Sequence, residues 1–165
     1  MKTVIAISSI FIALCAFFMS SQAHAVDEYN TSTGTTIDGQ GLALRGKDSV
    51  ALFNDLEVAP GLAEYTVVHD NVAYYFSNAQ NMKRFKADPT TYITQFGGYC
   101  AYGVAKGKKL DGSPRFADVL EGKMYLFLNA AIFEEYKKDR QNIINAANAK
   151  WPGMERRSVE DVNGL

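Results

Sequence analysis

After residue 25 this chain holds one cysteine, Cys100, and one histidine, His69. Those two counts remove most of the ways in which a small domain is cross-linked. A single thiol forms no intrachain disulfide, and a structural zinc site needs four nitrogen or sulfur ligands. The domain must therefore be held by an apolar core. Its composition suits that demand, with 47% hydrophobic and 12% aromatic residues. A chain of this length buries one core of ordinary size.

The limit at residue 25 comes from the start of the sequence. Lys2 precedes an uncharged apolar run over residues 4–18, which ends at Ala23-His24-Ala25, a small-x-small cleavage signal. The run is shorter than the about 18 to 20 apolar residues of a spanning helix. We read residues 1–25 as a secretory signal peptide cleaved after Ala25, which predicts a periplasmic or secreted domain with no stable membrane anchor. The formal net charge is −1. That balance gives no reason to expect nucleic acid or an anionic membrane surface as a partner. The densest basic cluster, Lys106-Gly107-Lys108-Lys109, reads as a solvated loop.

Residues 26–40 are polar and read as a flexible arm, residues 41–153 as the domain, and residues 154–165 as a polar tail. No internal repeat is legible. Residues 64–69 and 72–76 are rich in β-formers around Asp70-Asn71, a pair that tolerates the positive φ of a tight hairpin. Ser77 with Gln80 has capping-box spacing, and Asp88-Pro89 can open a second short helix. Gly97-Gly98 then stops that helix in the left-handed conformation. Residues 115–120 and 123–128 flank Glu121-Gly122 as a second hairpin. Ile132, Phe133, Tyr136, Ile143, Ile144, Ala147 and Trp151 recur at helical spacing, which predicts one amphipathic helix over residues 130–150. The expected fold is a small single α+β domain with two β-hairpins, short helices after the first, and a C-terminal amphipathic helix.

Four segments together resemble the YHS domain family in its exported, stand-alone branch. They are Gly46-Lys47-Asp48-Ser49-Val50-Ala51-Leu52-Phe53; Tyr74-Tyr75-Phe76-Ser77 with Asn81, Phe85, Asp88-Pro89 and Tyr92 behind it; Gln95-Phe96-Gly97-Gly98-Tyr99-Cys100-Ala101-Tyr102-Gly103-Val104-Ala105; and Gly122-Lys123-Met124-Tyr125-Leu126 before a helix ending in Trp151-Pro152. The third segment is the most specific. The chain departs from the branch at Lys47 and Ser49, where an aromatic residue and a proline are usual, and at Leu52. YHS-like domains of copper-transporting ATPases and heavy-metal proteins carry several cysteines as metal ligands, whereas this chain keeps Cys100.

Cys100 admits three readings. It is a buried thiol acting as a small apolar side chain; or a soft ligand for copper as Cu(I), together with His69 or a methionine such as Met82 or Met124; or a redox thiol, which needs a lowered pKa. The redox reading is weakened because Cys100 follows the end of a predicted helix, where the dipole disfavours a thiolate. Gly97, Gly98, Tyr99 and Tyr102 are the candidate ligand-binding residues, because missing side chains let a ligand approach the backbone. No serine-nucleophile elbow and no P-loop is present, and His69 beside a turn reads as a polar surface residue. The expectation is a non-catalytic binding module for a soft metal, copper favoured, or for a small ligand near Cys100. The alternatives are a thiol redox protein and a structural or partner-binding domain with Cys100 as inert core.

Overall fold

The computed structural model describes residues 28–165. The predicted leader over residues 1–25 lies outside the described residues. Among the described residues, no helix is long and apolar enough to cross a membrane. The expected α+β architecture is present, as a three-stranded and a two-stranded sheet with short helices around them.

The first hairpin pairs β2 (Leu62–His69) with β3 (Val72–Phe76), and a short β1 (Gly41–Leu42) runs parallel along the other side of β3. Asp70 and Asn71 both take positive φ, 49° and 62°. That is the turn whose twist matches the strands it joins. Helix α1 (Ser49–Asp55) precedes this hairpin, and α2 (Ala79–Ala87) and α3 (Pro89–Tyr92) follow it. Asn78, rather than Ser77, caps α2, accepting the Asn81 N–H at 2.9 Å. Asp88 caps α3 as expected.

The same sequence of elements then recurs. Helix α4 (Ala101–Ala105) precedes a hairpin of β4 (Ser113–Leu120) and β5 (Lys123–Phe127), followed by α5 (Ala130–Lys138) and α6 (Arg140–Lys150). The two units correspond residue by residue. Leu62 pairs with Phe76 and Thr66 with Tyr75, across one bulge; Ser113 pairs with Phe127 and Ala117 with Leu126, across the same bulge. Asn78 and Asn129 cap the helices that follow, Phe85 and Tyr136 are their fully buried anchors, and Asp88 and Asp139 break them with φ near −150°. Lys47 bridges Pro60 as Tyr99 bridges Asp111. Asp48 N–H donates to Ala59 as Cys100 N–H donates to Leu110. The chain is thus an internal structural repeat, which the sequence reading missed.

The break at Asp139 also divides the helix expected over residues 130–150. The apolar positions lapse between Tyr136 and Ile143, and Asp139 takes the bent conformation of Asp88. Residues 28–36 and 154–165 also differ from a free arm and a free tail. Tyr29 packs on the first core, and Asn30 N–H donates to the Gly97 carbonyl at 2.7 Å. Met154 is buried, and Val159 and Val162 of α7 (Val159–Asn163) pack on the second core.

Strand β5 joins the two units. Its residues alternate between faces, as any strand's do. Met124 and Leu126 belong to the first core, with Val50, Leu52, Tyr74, Phe76 and Phe85; Tyr125 and Phe127 belong to the second, with Val104, Tyr136 and Ile144. Phe85 lies 4.7 Å and 5.0 Å, centroid to centroid, from Tyr74 and Phe76, while Tyr136 stacks on Phe127 at 4.0 Å. Truncating either anchor to alanine costs about 3–5 kcal/mol by cavity formation.

Candidate functional site

Cys100 is fully buried in the second core and stands at the N-cap of α4. Its sulfur accepts the Gly103 N–H at 3.4 Å, and the N–H groups of Leu128 and Tyr102 also point at it. Burial pushes the thiol pKa up, and these donors offset only part of that rise. The expectation that a helix C-terminus lies at Cys100 is corrected: the residue begins a helix. Burial nevertheless decides the sign, so the thiol stays protonated.

Asp48 holds the corresponding position in the first unit and is also fully buried, at the N-cap of α1. One carboxylate oxygen accepts the Val50 and Ala51 N–H groups at 2.9 and 3.1 Å. The other accepts the Ser77 N–H at 2.8 Å, the Ser77 hydroxyl at 2.6 Å and the Asn81 amide at 2.8 Å. Burial alone would raise this carboxyl, but the donors from Asn81, Ser77 and Ala51 hold it below the usual carboxylate range. Beside it, the Ser49 hydroxyl is buried without a hydrogen-bond partner. The second unit has Leu128 where the first has Ser77, Ile132 where it has Asn81, and Ala101 where it has Ser49. The sulfur therefore receives the same backbone donors as the carboxylate without its side-chain donors.

The predicted copper partners of Cys100 do not collect around it. His69 packs edge-on against Phe85 at 6.1 Å and lies 3.5 Å from Asp70. Met124 belongs to the first core and Met82 packs against it, whereas Cys100 belongs to the second. Among the described residues, no three His, Cys, Asp or Glu side chains are grouped to hold a metal ion.

At Gly97-Gly98 both residues take positive φ, 59° and 83°, as expected. The backbone there is closely approached, but by the chain itself. A Cβ on Gly97 would fall 1.9 Å from the Glu28 carbonyl oxygen. The space left under residues 29–33 is a cavity of about 10 Å³, lined by Tyr29, Asn30, Gly97, Gly98 and Gly112 among others. It admits no more than about one water molecule.

Tyr99 is buried and Tyr102 half-buried, each with a lysine over its ring: Lys109 at 5.1 Å from Tyr99 and Lys106 at 5.3 Å from Tyr102. Lys109 corrects the reading of residues 106–109 as solvated. It is only 2% exposed, lies between Tyr99 and Trp151, and donates to the Glu155 and Arg157 carbonyls at 2.9 and 2.7 Å. Asn163 closes the arrangement from α7, accepting the Lys109 N–H and donating to its carbonyl, each at 2.9 Å. With the apolar contacts of Met154, Val159 and Val162, this cation docks the C-terminal segment, and no local sequence signal separates it from Lys106 or Lys108.

Open clefts lie elsewhere on the surface, one of them, of about 490 Å³, beside Asn54, Glu57, Asn78 and Arg84. A cleft of about 360 Å³ is lined by Arg45, Lys47 and Val58 of the first unit and by residues 113–116 of the second. No family model, curated protein or solved structure matches this chain.

Proposed function

We propose that this chain is an exported, non-catalytic binding module of the YHS type, in which Cys100 is a structural core residue. The resemblance carried by residues 95–105 supports the family reading. The single observation that favours a structural Cys100 is its place: the sulfur occupies the capping position of Asp48 and receives the same backbone N–H donors. A side chain used this way has no free lone pair aimed at solvent. A redox role has little support, because burial raises the thiol pKa and a reactive cysteine needs it lowered.

The test is metal loading of the intact chain with Cu(I), Zn(II) and Fe(II) in turn, read by native mass spectrometry. The expected result is that wild type and Cys100→Ala retain the same metal, or none. One copper ion held by wild type and lost from a folded Cys100→Ala would overturn this reading and install Cys100 as a soft-metal ligand.

A further inference from the structure

We propose that the cleft formed by Arg45, Lys47, Val58, Pro114, Arg115 and Phe116 binds an acidic peptide segment of a partner protein. The inference rests on the binding-module reading and names the ligand class.

The charge of the cleft selects an anionic ligand. Three cations line the cleft and no carboxylate does. Arg45 has a long ion pair with Asp111, at 3.9 Å, just outside the lining. Among the described residues, Lys47 and Arg115 make no ion pair. Arg45 and Arg115 are exposed, so they meet an anion without moving a buried group. Val58, Pro114 and Phe116 supply apolar walls beside the charges, a combination that suits carboxylates alternating with apolar side chains rather than a bare ion.

The repeat selects a polypeptide. Lys47 and Val58 stand where Tyr99 and Lys109 stand in the second unit, as the paired bridges and the bonds from Asp48 and Cys100 show. At Tyr99 and Lys109 the fold already receives a polypeptide, its own residues 155–163, with the lysine donating to backbone carbonyls. In the first unit the equivalent place is the open cleft. The position is thus a peptide seat that the chain fills once and leaves open once.

Backbone strain falls in the same cleft. Arg45 takes φ 54°, ψ 34°, a left-handed conformation that is costly for a residue with a Cβ. Its counterpart in the second unit is Gly97. Strained residues of this kind are retained where a side chain is needed at a fixed place.

The experiment titrates the intact chain with a fluorescein-labelled short peptide of alternating glutamate and leucine, following anisotropy and amide chemical shifts. The proposal expects shifts at Arg45, Lys47 and Arg115, and binding that weakens with added salt. The pair Lys47→Glu with Arg115→Glu should weaken binding at least about tenfold. The pair Lys86→Glu with Lys123→Glu, an equal charge change on exposed residues elsewhere, should leave it within about twofold. The matching peptide with lysine for glutamate should not bind. Equal weakening by both pairs, or no binding of the acidic peptide, overturns the proposal. Displacement of the peptide by equimolar inorganic phosphate also overturns it, in favour of a small-anion site. Shifts confined to residues 97–102 would overturn the cleft yet leave a binding module standing. Metal loading through Cys100 would remove the structural reading of that residue independently of the peptide result.

Discussion

Asp48 and Cys100 stand at the same point of two equivalent units and meet the same structural need with different chemistry. Each caps a short helix and ties it to the residue after the second strand of its hairpin, Ser77 in one unit and Leu128 in the other. The first unit uses a buried charge, which is tolerable only because five hydrogen bonds from backbone, hydroxyl and amide reach it. The second unit replaces Ser77 and Asn81 by Leu128 and Ile132, and with them goes the support that a carboxylate needs. A thiol suits such a site because it accepts weakly, stays neutral when buried and packs as an apolar group. The difference teaches that Cys100 fills the place that Asp48 fills, in surroundings that supply packing and backbone donors but none of the side-chain donors around Asp48.

Exchanging the two chemistries breaks the comparison most sharply. Cys100→Asp places a carboxylate among Leu128 and Ile132 without side-chain donors, and should destabilise by about 3–5 kcal/mol. Adding Leu128→Ser and Ile132→Asn should recover part of that loss in urea unfolding. An equal or larger loss in the triple variant would mean that the two sites are not equivalent. Next in size is Lys109→Met, which keeps the aliphatic stem but removes the donor from the Glu155 and Arg157 carbonyls. It should cost about 2–4 kcal/mol and expose residues 154–165 to limited proteolysis.

Acid should act on the first unit. The folded pKa of Asp48 is depressed, so its contribution is complete above the unfolded value of about 3.9. It is lost as pH falls through the lower folded value. Thermal unfolding followed from pH 6 downward should therefore show a falling midpoint below about pH 4, with a shallower fall in Asp48→Asn, which is less stable at neutral pH. The smallest effect is expected at Ser49. Its buried hydroxyl has no partner and its counterpart is Ala101, so Ser49→Ala should be neutral or stabilise by about 0.5–1 kcal/mol.

Much of this fold was legible in the residues. The Asp70-Asn71 and Glu121-Gly122 turns and the Asp88-Pro89 start are read from local backbone preferences, and the structure has each of them. The expected stop at Gly97-Gly98 is corrected: α3 already ends at Tyr92, where Ile93 turns extended, and the two glycines, though of positive φ, close a separate short turn over Gln95–Gly98. The repeat was not legible because few residues persist between the units. Over residues 74–88 the kept ones are Tyr74, Phe76, Asn78, Ala79, Lys86 and Asp88, which recur as Tyr125, Phe127, Asn129, Ala130, Lys137 and Asp139, while the hub changes from Asp48 with Ser77 and Asn81 to Cys100 with Leu128 and Ile132. Those scattered identities become a repeat only when the shared register and capping geometry of the folded chain align them. The candidate site was legible in part. Gly97-Gly98 was read as a place where a ligand approaches the backbone, whereas in the fold residues 28–30 of the chain itself make the close approach. The docking of the arm and of the C-terminal segment depends on long-range bonds to Gly97 and Lys109, and neither leaves a local pattern.

The most direct test of the structural role of Cys100 is its native-state reactivity. The chain carrying Cys15→Ser, so that Cys100 is its one thiol, is mixed with a chromogenic disulfide reagent over increasing urea, and the labelling rate is compared with global unfolding followed by tryptophan fluorescence. The account predicts labelling that is negligible in the native state and rises in parallel with global unfolding, as for a thiol reached only by opening the second core. Rapid labelling of the fully folded chain, with no dependence on urea, would contradict it.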